Sequence, residues 1–192
     1  MNRLYIFDLG GVLIKNFHTL PEMAKIMGVS EKELNDDFEL YARPLMEGYM
    51  STNDYYDHLL THYGYKVNGD FFKDTFHPVR NEVMIEIAGK LKAKGNKTAI
   101  GSNTFAPHWP IIDKLDIRKS FTNCYASHEI HLIKPDKEFW LYIMDKEGFT
   151  PENTTFVDDY IENIEGAAAL GIETFHYTGD DEALLNFFKD RI

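Results

Sequence analysis

Residues 4–11 read Leu-Tyr-Ile-Phe-Asp-Leu-Gly-Gly. Leu4 to Phe7 form an unbroken apolar run with no polar face to offer solvent, which describes a strand buried on both sides. Strands of this kind belong to parallel sheets covered by helices. Asp8 ends the run, and Gly10 and Gly11 follow it, so the C-terminal end of the strand opens into a tight loop. The same grammar recurs downstream of Pro78. A helix over about Asn81–Lys94 carries Val83, Ile87 and Leu91 on one stripe, with Gly95 as its stop, and a strand follows at Lys97–Ile100. A helix near Ala106–Leu115, a short strand around Asn123–Ala126 and a helix over Asp136–Glu147 come next, the last with Phe139, Trp140, Ile143 and Met144 inward. Thr154–Val157, Asn163–Leu170, Ile172–His176 and Asp180–Lys189 complete the alternation as strand, helix, strand and helix. The pattern predicts an α/β fold, a Rossmann-like parallel sheet core with helices on both faces.

Residues 17–78 break that rhythm. Pro21 after Thr19 opens a helix that Gly28 closes, and Ser30 with Glu33 makes a capping box for the next. Ser51 or Thr52 opens a third helix ending near Gly64, and an aromatic-rich fourth around Phe71–Phe76 stops before Pro78. With no strand among them, these residues are expected as a small inserted all-helical cap over the sheet. The core would then comprise 1–16 and 79–192, and the cap 17–78.

Composition bounds the rest. The 192 residues are 44% hydrophobic and 14% aromatic, ample for a packed interior. A formal net charge of −11 repels a phosphate backbone and anionic lipid alike, and no cluster of Lys and Arg interleaved with aromatics occurs. Neither nucleic acid nor a membrane is expected as a partner. No apolar run is long enough to span a bilayer, and the N-terminal run is too short for a signal peptide. Cys124 is the single cysteine and can form no intrachain disulfide. A cytoplasmic monomer or homodimer is expected.

In an open parallel sheet, ligands bind beyond the C-terminal ends of the strands. Asp8, Ser102, Lys134 and the pair Asp158 and Asp159 all fall at that edge. Singly, each has an ordinary role as a turn former, cap, solvated lysine or acidic loop. Together they describe a hard, oxygen-rich site suited to Mg²⁺, with a hydroxyl, backbone N–H groups and an ammonium to hold phosphoryl oxygens. Other conspicuous residues carry less. His58 and His62 lack a third ligand and an HExxH pattern, Cys124 lies in a strand as a small hydrophobe, and Tyr160 and Asp180-Asp181 look like surface. His128 and His131 border the lysine loop.

Four motifs in order resemble the haloacid dehalogenase-like hydrolase superfamily, in its phosphatase branch with a helical cap after the first motif. They are FDLGGVLI with Asp8, IGSNT with Ser102, LIKPD with Lys134, and FVDDYIENIEGA with Asp158 and Asp159. The resemblance implies Asp8 as nucleophile, with Ser102 and Lys134 also catalytic, and Ser102, Asn103 and Lys134 holding phosphate. It implies Mg²⁺ held by Asp8, the Gly10 carbonyl, Asp158 and Asp159, with Asn163 supporting from behind. It places Phe17, His18, Arg43 and Met46 in cap segments that select substrate. Most such phosphatases carry a second aspartate where this chain has Gly10, and that residue serves as general acid and base. Sugar-phosphate (α-D-glucose-1-phosphate) phosphatases similar to this chain share its FDLG opening. The implied activity is Mg²⁺-dependent hydrolysis of a small phosphomonoester, a sugar phosphate or similar metabolite, through an aspartyl-phosphate. Two alternatives stand beside it. One is a non-catalytic or weakly active binding protein, because of Gly10; the other is a 2-haloacid dehalogenase, against which the Asp158–Asp159 pair argues, since it would repel a carboxylate substrate.

Overall fold

The computed structural model describes residues 2–192. The chain begins with β1 (Leu4–Phe7) and β2 (Ile14–Lys15), then four helices: α1 (Leu20–Met27), α2 (Glu31–Met46), α3 (Thr52–Tyr63) and α4 (Phe71–Asp74). Next come β3 (Val79–Arg80), α5 (Glu82–Ala93), β4 (Lys97–Ser102), α6 (Trp109–Lys114), β5 (Asn123–Ala126) and α7 (Ser127–Ile130). The chain closes with α8 (Lys137–Glu147), β6 (Thr154–Asp158), α9 (Ile161–Ala168), β7 (Glu173–His176) and α10 (Asp181–Phe188).

Five strands form one parallel sheet in the order β5-β4-β1-β6-β7, so β1 lies at its centre. Its position follows from its composition. Alternate side chains of a strand point to opposite faces, and every one of the four in β1 meets a packed layer. Tyr5 and Phe7 join Ile100 and Val157 under Met84, Ile87 and Leu91 of α5 and Leu184 and Phe188 of α10. Leu4 and Ile6 join Ala99 and Phe156 under Phe139, Trp140 and Ile143 of α8 and Ala167 of α9. The architecture is thus α/β, with a parallel sheet between two helical layers and an inserted helical region.

The four helices α1–α4 share a cluster of their own, built on Met23, Leu34, Phe38, Tyr55, Leu59 and Phe72, which Phe105 enters from beyond β4. The chain passes into and out of these helices through β2 and β3, an antiparallel pair with Ile14 opposite Arg80 and Lys15 opposite Val79. Sequence patterning misses this pair, because two residues carry no periodicity. β4 also runs two residues past the expected Ile100, to Ser102, and α9 starts at Ile161 rather than Asn163. The helix expected over 106–115 opens as a 3₁₀ turn at Ala106–His108, where Pro107 and Pro110 restrict the backbone. α7 is a single turn that no amphipathic stripe announces.

Candidate active site

Strand register assembles the site. Phe7 pairs with Ile100 on one side and Val157 on the other, so the residues just beyond share one edge. Asp8 donates its backbone N–H to the Val157 carbonyl at 2.9 Å, which extends the sheet geometry through it. Asp158 ends β6 and Ser102 ends β4. Lys134 comes from the loop before α8, preceding a cis proline.

The Lys134 ammonium is almost wholly buried and donates to Asp8 Oδ1 at 2.6 Å and Asp158 Oδ2 at 2.7 Å. Asp158 is completely buried and saturated, accepting also from the Tyr160 backbone N–H at 2.8 Å and from Asn163 Nδ2 at 3.1 Å to each oxygen. Asn103 holds the backbone of Lys134 on both sides. Its Nδ2 donates to the Lys134 carbonyl at 2.8 Å, and its Oδ1 accepts the Lys134 N–H at 2.9 Å. Ser102 Oγ is buried with only a 3.5 Å contact to the Asn103 carbonyl, too long to satisfy a hydroxyl.

Asp159 completes a triangle in which one oxygen each from Asp8, Asp158 and Asp159 lies within 4.8 Å of the others. Its carboxylate rests on Gly11, where any Cβ would collide with Asp159 Oδ2, and Gly11 has φ +71°. Both space and backbone therefore demand glycine there. In the sequence, only the Gly10-Gly11 pair signals this residue.

Charge in the site is unbalanced. Burial lifts the Asp8 carboxyl to about 7, Lys134 opposes the rise, and the neighbouring Asp158 and Asp159 carboxylates add to it. Burial and Asp158 likewise raise Asp159. Burial pulls the Lys134 pKa down, yet Asp158 and Asp8 outweigh it and hold the ammonium above the usual lysine range. One buried cation faces three carboxylates. A second cation among their oxygens would relieve the repulsion, and hard carboxylate oxygens suit Mg²⁺, so the donor set fits that ion.

A crevice of about 970 Å³ opens from Asp8 toward the helical insertion. Phe17, His18, Arg43 and Met46 all line it. They do so differently from one another. Phe17 packs on His18 with ring centroids 4.2 Å apart, and its ring fills the space beside Gly10, where an added Cβ would sit 2.9 Å from ring carbons. Arg43 is committed to Glu47 at 2.8 Å and to Asp136 at 2.6 Å, the latter tying α2 to the start of α8. His131, at the end of α7, donates from Nδ1 to the Glu47 carbonyl at 2.6 Å and stacks on Tyr49. It lies behind α2, joining the two layers. His58 bonds Asp37 and Tyr41 within the helical insertion, and His62 stacks on it. Half-buried Cys124 has its thiol pushed up to about 11 by burial, which suits packing rather than nucleophilic attack.

His108 escaped the sequence reading. It lines the crevice, lies flat on Phe76 with centroids 3.8 Å apart, and is 8% exposed. Burial drives its pKa down to about 3, so the ring is neutral, and its Nε2 has no partner. A lone histidine between prolines carries no pattern that would reveal this.

Residues 3–171 match the haloacid dehalogenase-like hydrolase family, and the chain belongs to it. Over 177 residues it is 25% identical to the sesquiterpene phosphatase astK of Aspergillus oryzae, spanning 90% of this chain and 88% of that protein. The wild-type HAD family enzyme of Bacteroides thetaiotaomicron, solved in complex with magnesium and inorganic phosphate, superposes with a TM-score of 0.79 at 25% identity. That match covers 96% of this chain and 99% of the other. The L-2-haloacid dehalogenase of Xanthobacter autotrophicus, with chloropropionic acid covalently bound, shares the fold at TM-score 0.67 and 16% identity, over 99% of this chain and 83% of that one.

Proposed function

We propose that this protein is a Mg²⁺-dependent phosphomonoesterase that works through an aspartyl-phosphate on Asp8. The observation that carries the reading is the convergence of Asp8, Asp158 and Asp159 oxygens within 4.8 Å at one strand edge, with Lys134 bridging two of them. The magnesium and phosphate bound by the Bacteroides thetaiotaomicron enzyme support the same chemistry here. The metal would be held by Asp8, Asp159 and the Gly10 carbonyl, with Asp158 fixed behind them by Lys134 and Asn163. When bound, it would neutralise carboxylate and phosphate charge and polarise the phosphoryl group.

Asp8 attacks phosphorus through a carboxylate oxygen, the bond from phosphorus to the alcohol oxygen breaks, and the alcohol leaves with a proton drawn from crevice water. A water then attacks phosphorus, the bond from phosphorus to Asp8 breaks, and inorganic phosphate departs. Lys134 opposes protonation of Asp8 and faces the transferring oxygens, while the Ser102 hydroxyl and the Asn103 backbone N–H hold the remainder. Asn103 acts through its backbone, since its side chain is spent on Lys134.

The complete Asp8–Lys134–Asp159 set favours an active enzyme over a degenerate binding protein. The crowded carboxylates disfavour a haloacid substrate, whose own carboxylate would add a fourth negative group. The sugar-phosphate subtype is supported only by Phe7–Gly10, residues beside the phosphate rather than the alcohol. Hydrolysis of p-nitrophenyl phosphate in Mg²⁺, abolished by excess chelator and by Asp8→Asn in a folded protein, is the expected result. Undiminished turnover in either condition would overturn the reading.

A further inference from the structure

The walls of the crevice beyond the phosphate end bear on the alcohol, and the larger part of them is apolar. Phe38, Ala42 and Met46 descend one face of α2 at helical spacing, and all three line the crevice. Phe17 lines it beside Gly10, and Phe76 and Phe105 line it beside His108. Phe38 and Phe105 are also ring-packed against each other at 6.2 Å, so these faces are held in place. Three of the polar side chains in the lining are spent. Asn103 grips Lys134, Asn163 grips Asp158, and Arg43 is paired with Glu47 and Asp136. Beside Phe76 and Phe105 lies one neutral imidazole, His108, whose Nε2 is buried and unpartnered, while His18, Thr19, Asn35 and Tyr160 are polar residues elsewhere in the lining.

Hydroxyls of a polyhydroxylated body that came to rest against these ring and thioether faces would be buried without partners, each at a cost of about 1–3 kcal/mol. The exposed carboxylates of Glu31, Glu39 and Glu162, which also line the crevice, would repel a second anionic group. Both considerations point the same way.

We propose that the alcohol carried by the phosphate is a neutral, predominantly apolar body, aryl or alkyl, seated between Phe17, Phe38, Met46, Phe76 and Phe105. This rests on the phosphomonoesterase reading and deepens it by assigning the substrate class. Apolar matter leaving water for these walls stabilises the complex in proportion to the area buried. The core residues that hold phosphate have no part in that choice.

The test is a series of 4-alkylphenyl phosphates, from methyl through propyl to hexyl, in which leaving-group acidity stays nearly constant while apolar bulk grows. kcat/KM should rise by up to about 4-fold per added methylene until the crevice is filled, the equivalent of about 0.8 kcal/mol per buried CH₂. Glucose 1-phosphate and glycerol phosphate should fall below every member. Met46→Gln should flatten the slope of the series. A flat or falling slope, or a sugar phosphate turned over faster than the hexyl compound, would overturn the assignment. If no compound is hydrolysed, phenyl phosphate included, the phosphatase reading fails separately. Calorimetry with phenylphosphonate and 4-hexylphenylphosphonate then decides the substrate class by itself. A hexyl compound bound more tightly by a comparable increment supports the apolar crevice, and equal affinities contradict it.

Discussion

Asp8 has to be ionised to attack phosphorus, yet its burial favours the protonated form. Lys134 counters that from 2.6 Å, and the Asn103 side chain fixes the Lys134 backbone, so the lysine is positioned from behind as well as in front. The neighbouring glycines divide two further tasks. At Gly11 a methyl group collides with Asp159 and the backbone is left-handed. Gly11→Ala should displace Asp159 and weaken Mg²⁺ affinity about 10- to 100-fold, as loss of a supporting residue at a metal site typically does. Titration calorimetry would read it, and unchanged affinity would contradict the placement of Asp159. At Gly10 the backbone is ordinary and the obstacle is Phe17, whose ring occupies the space that an acidic side chain would take. Gly10→Asp alone should therefore lose stability, by roughly 1–3 kcal/mol for overpacking, without gaining turnover on alkyl phosphates. Combining it with Phe17→Ala should recover stability in urea unfolding; a stable single variant with raised turnover would show that the ring yields. Sequence marks Asp8, Lys134, Asp158 and Asp159 through their places after apolar runs. It does not mark what Asn103 and Asn163 hold, since an amide's partner is decided by tertiary contacts.

Among the elements, β1 is legible because a continuous apolar run leaves no solvent face, and β6 because Thr154–Val157 is a run of β-branched and aromatic residues; both are buried throughout. β2 and β3 are not, because a two-residue ladder depends on the chain returning to itself after four helices. The anchorage of α8 is also set from afar. Its last residue, Glu147, is buried and accepts from Lys97 Nζ at 2.9 Å, from Tyr125 OH at 2.6 Å and from Asn123 Nδ2 at 2.5 Å, binding the helix to β4 and β5. Burial alone would raise the Glu147 carboxyl, but hydrogen bonds from Tyr125, Lys97 and Asn123 outweigh it and hold it below the usual carboxylate range. A depressed folded pKa contributes stability above the unfolded pKa and loses it as pH falls through the folded one. Glu147→Gln should thus be less stable than wild type at pH 7, with the gap narrowing as pH falls below the ordinary glutamate range. Urea midpoints of the two proteins across that interval test it, and a gap independent of pH would contradict the pairing.

Over the whole molecule, two layers meet at one crevice. The Arg43–Asp136 ion pair, the His131 bond to the Glu47 carbonyl and the entry of Phe105 into the helical cluster hold α2 against the sheet layer. Exposed ion pairs are worth only about 0–1 kcal/mol each, so apolar packing around Phe105 dominates this seating. A seated insertion narrows access to Asp8, and a phosphopeptide should show kcat/KM at least about tenfold below phenyl phosphate. Equal values would mean that the helices stand clear of the crevice during turnover. None of the helices among the described residues is long and apolar enough to cross a membrane.

Phosphorus passes through Asp8 in the proposed reaction, and rapid acid quench with peptide mapping reads this most directly. Protein mixed with phenyl phosphate and Mg²⁺, quenched during turnover, should carry one phosphoryl group on the peptide containing Asp8. The adduct should vanish in excess chelator and in Asp8→Asn. Sustained turnover with no phosphoryl group on that peptide, and with Asp8→Asn as active as wild type, would contradict the account.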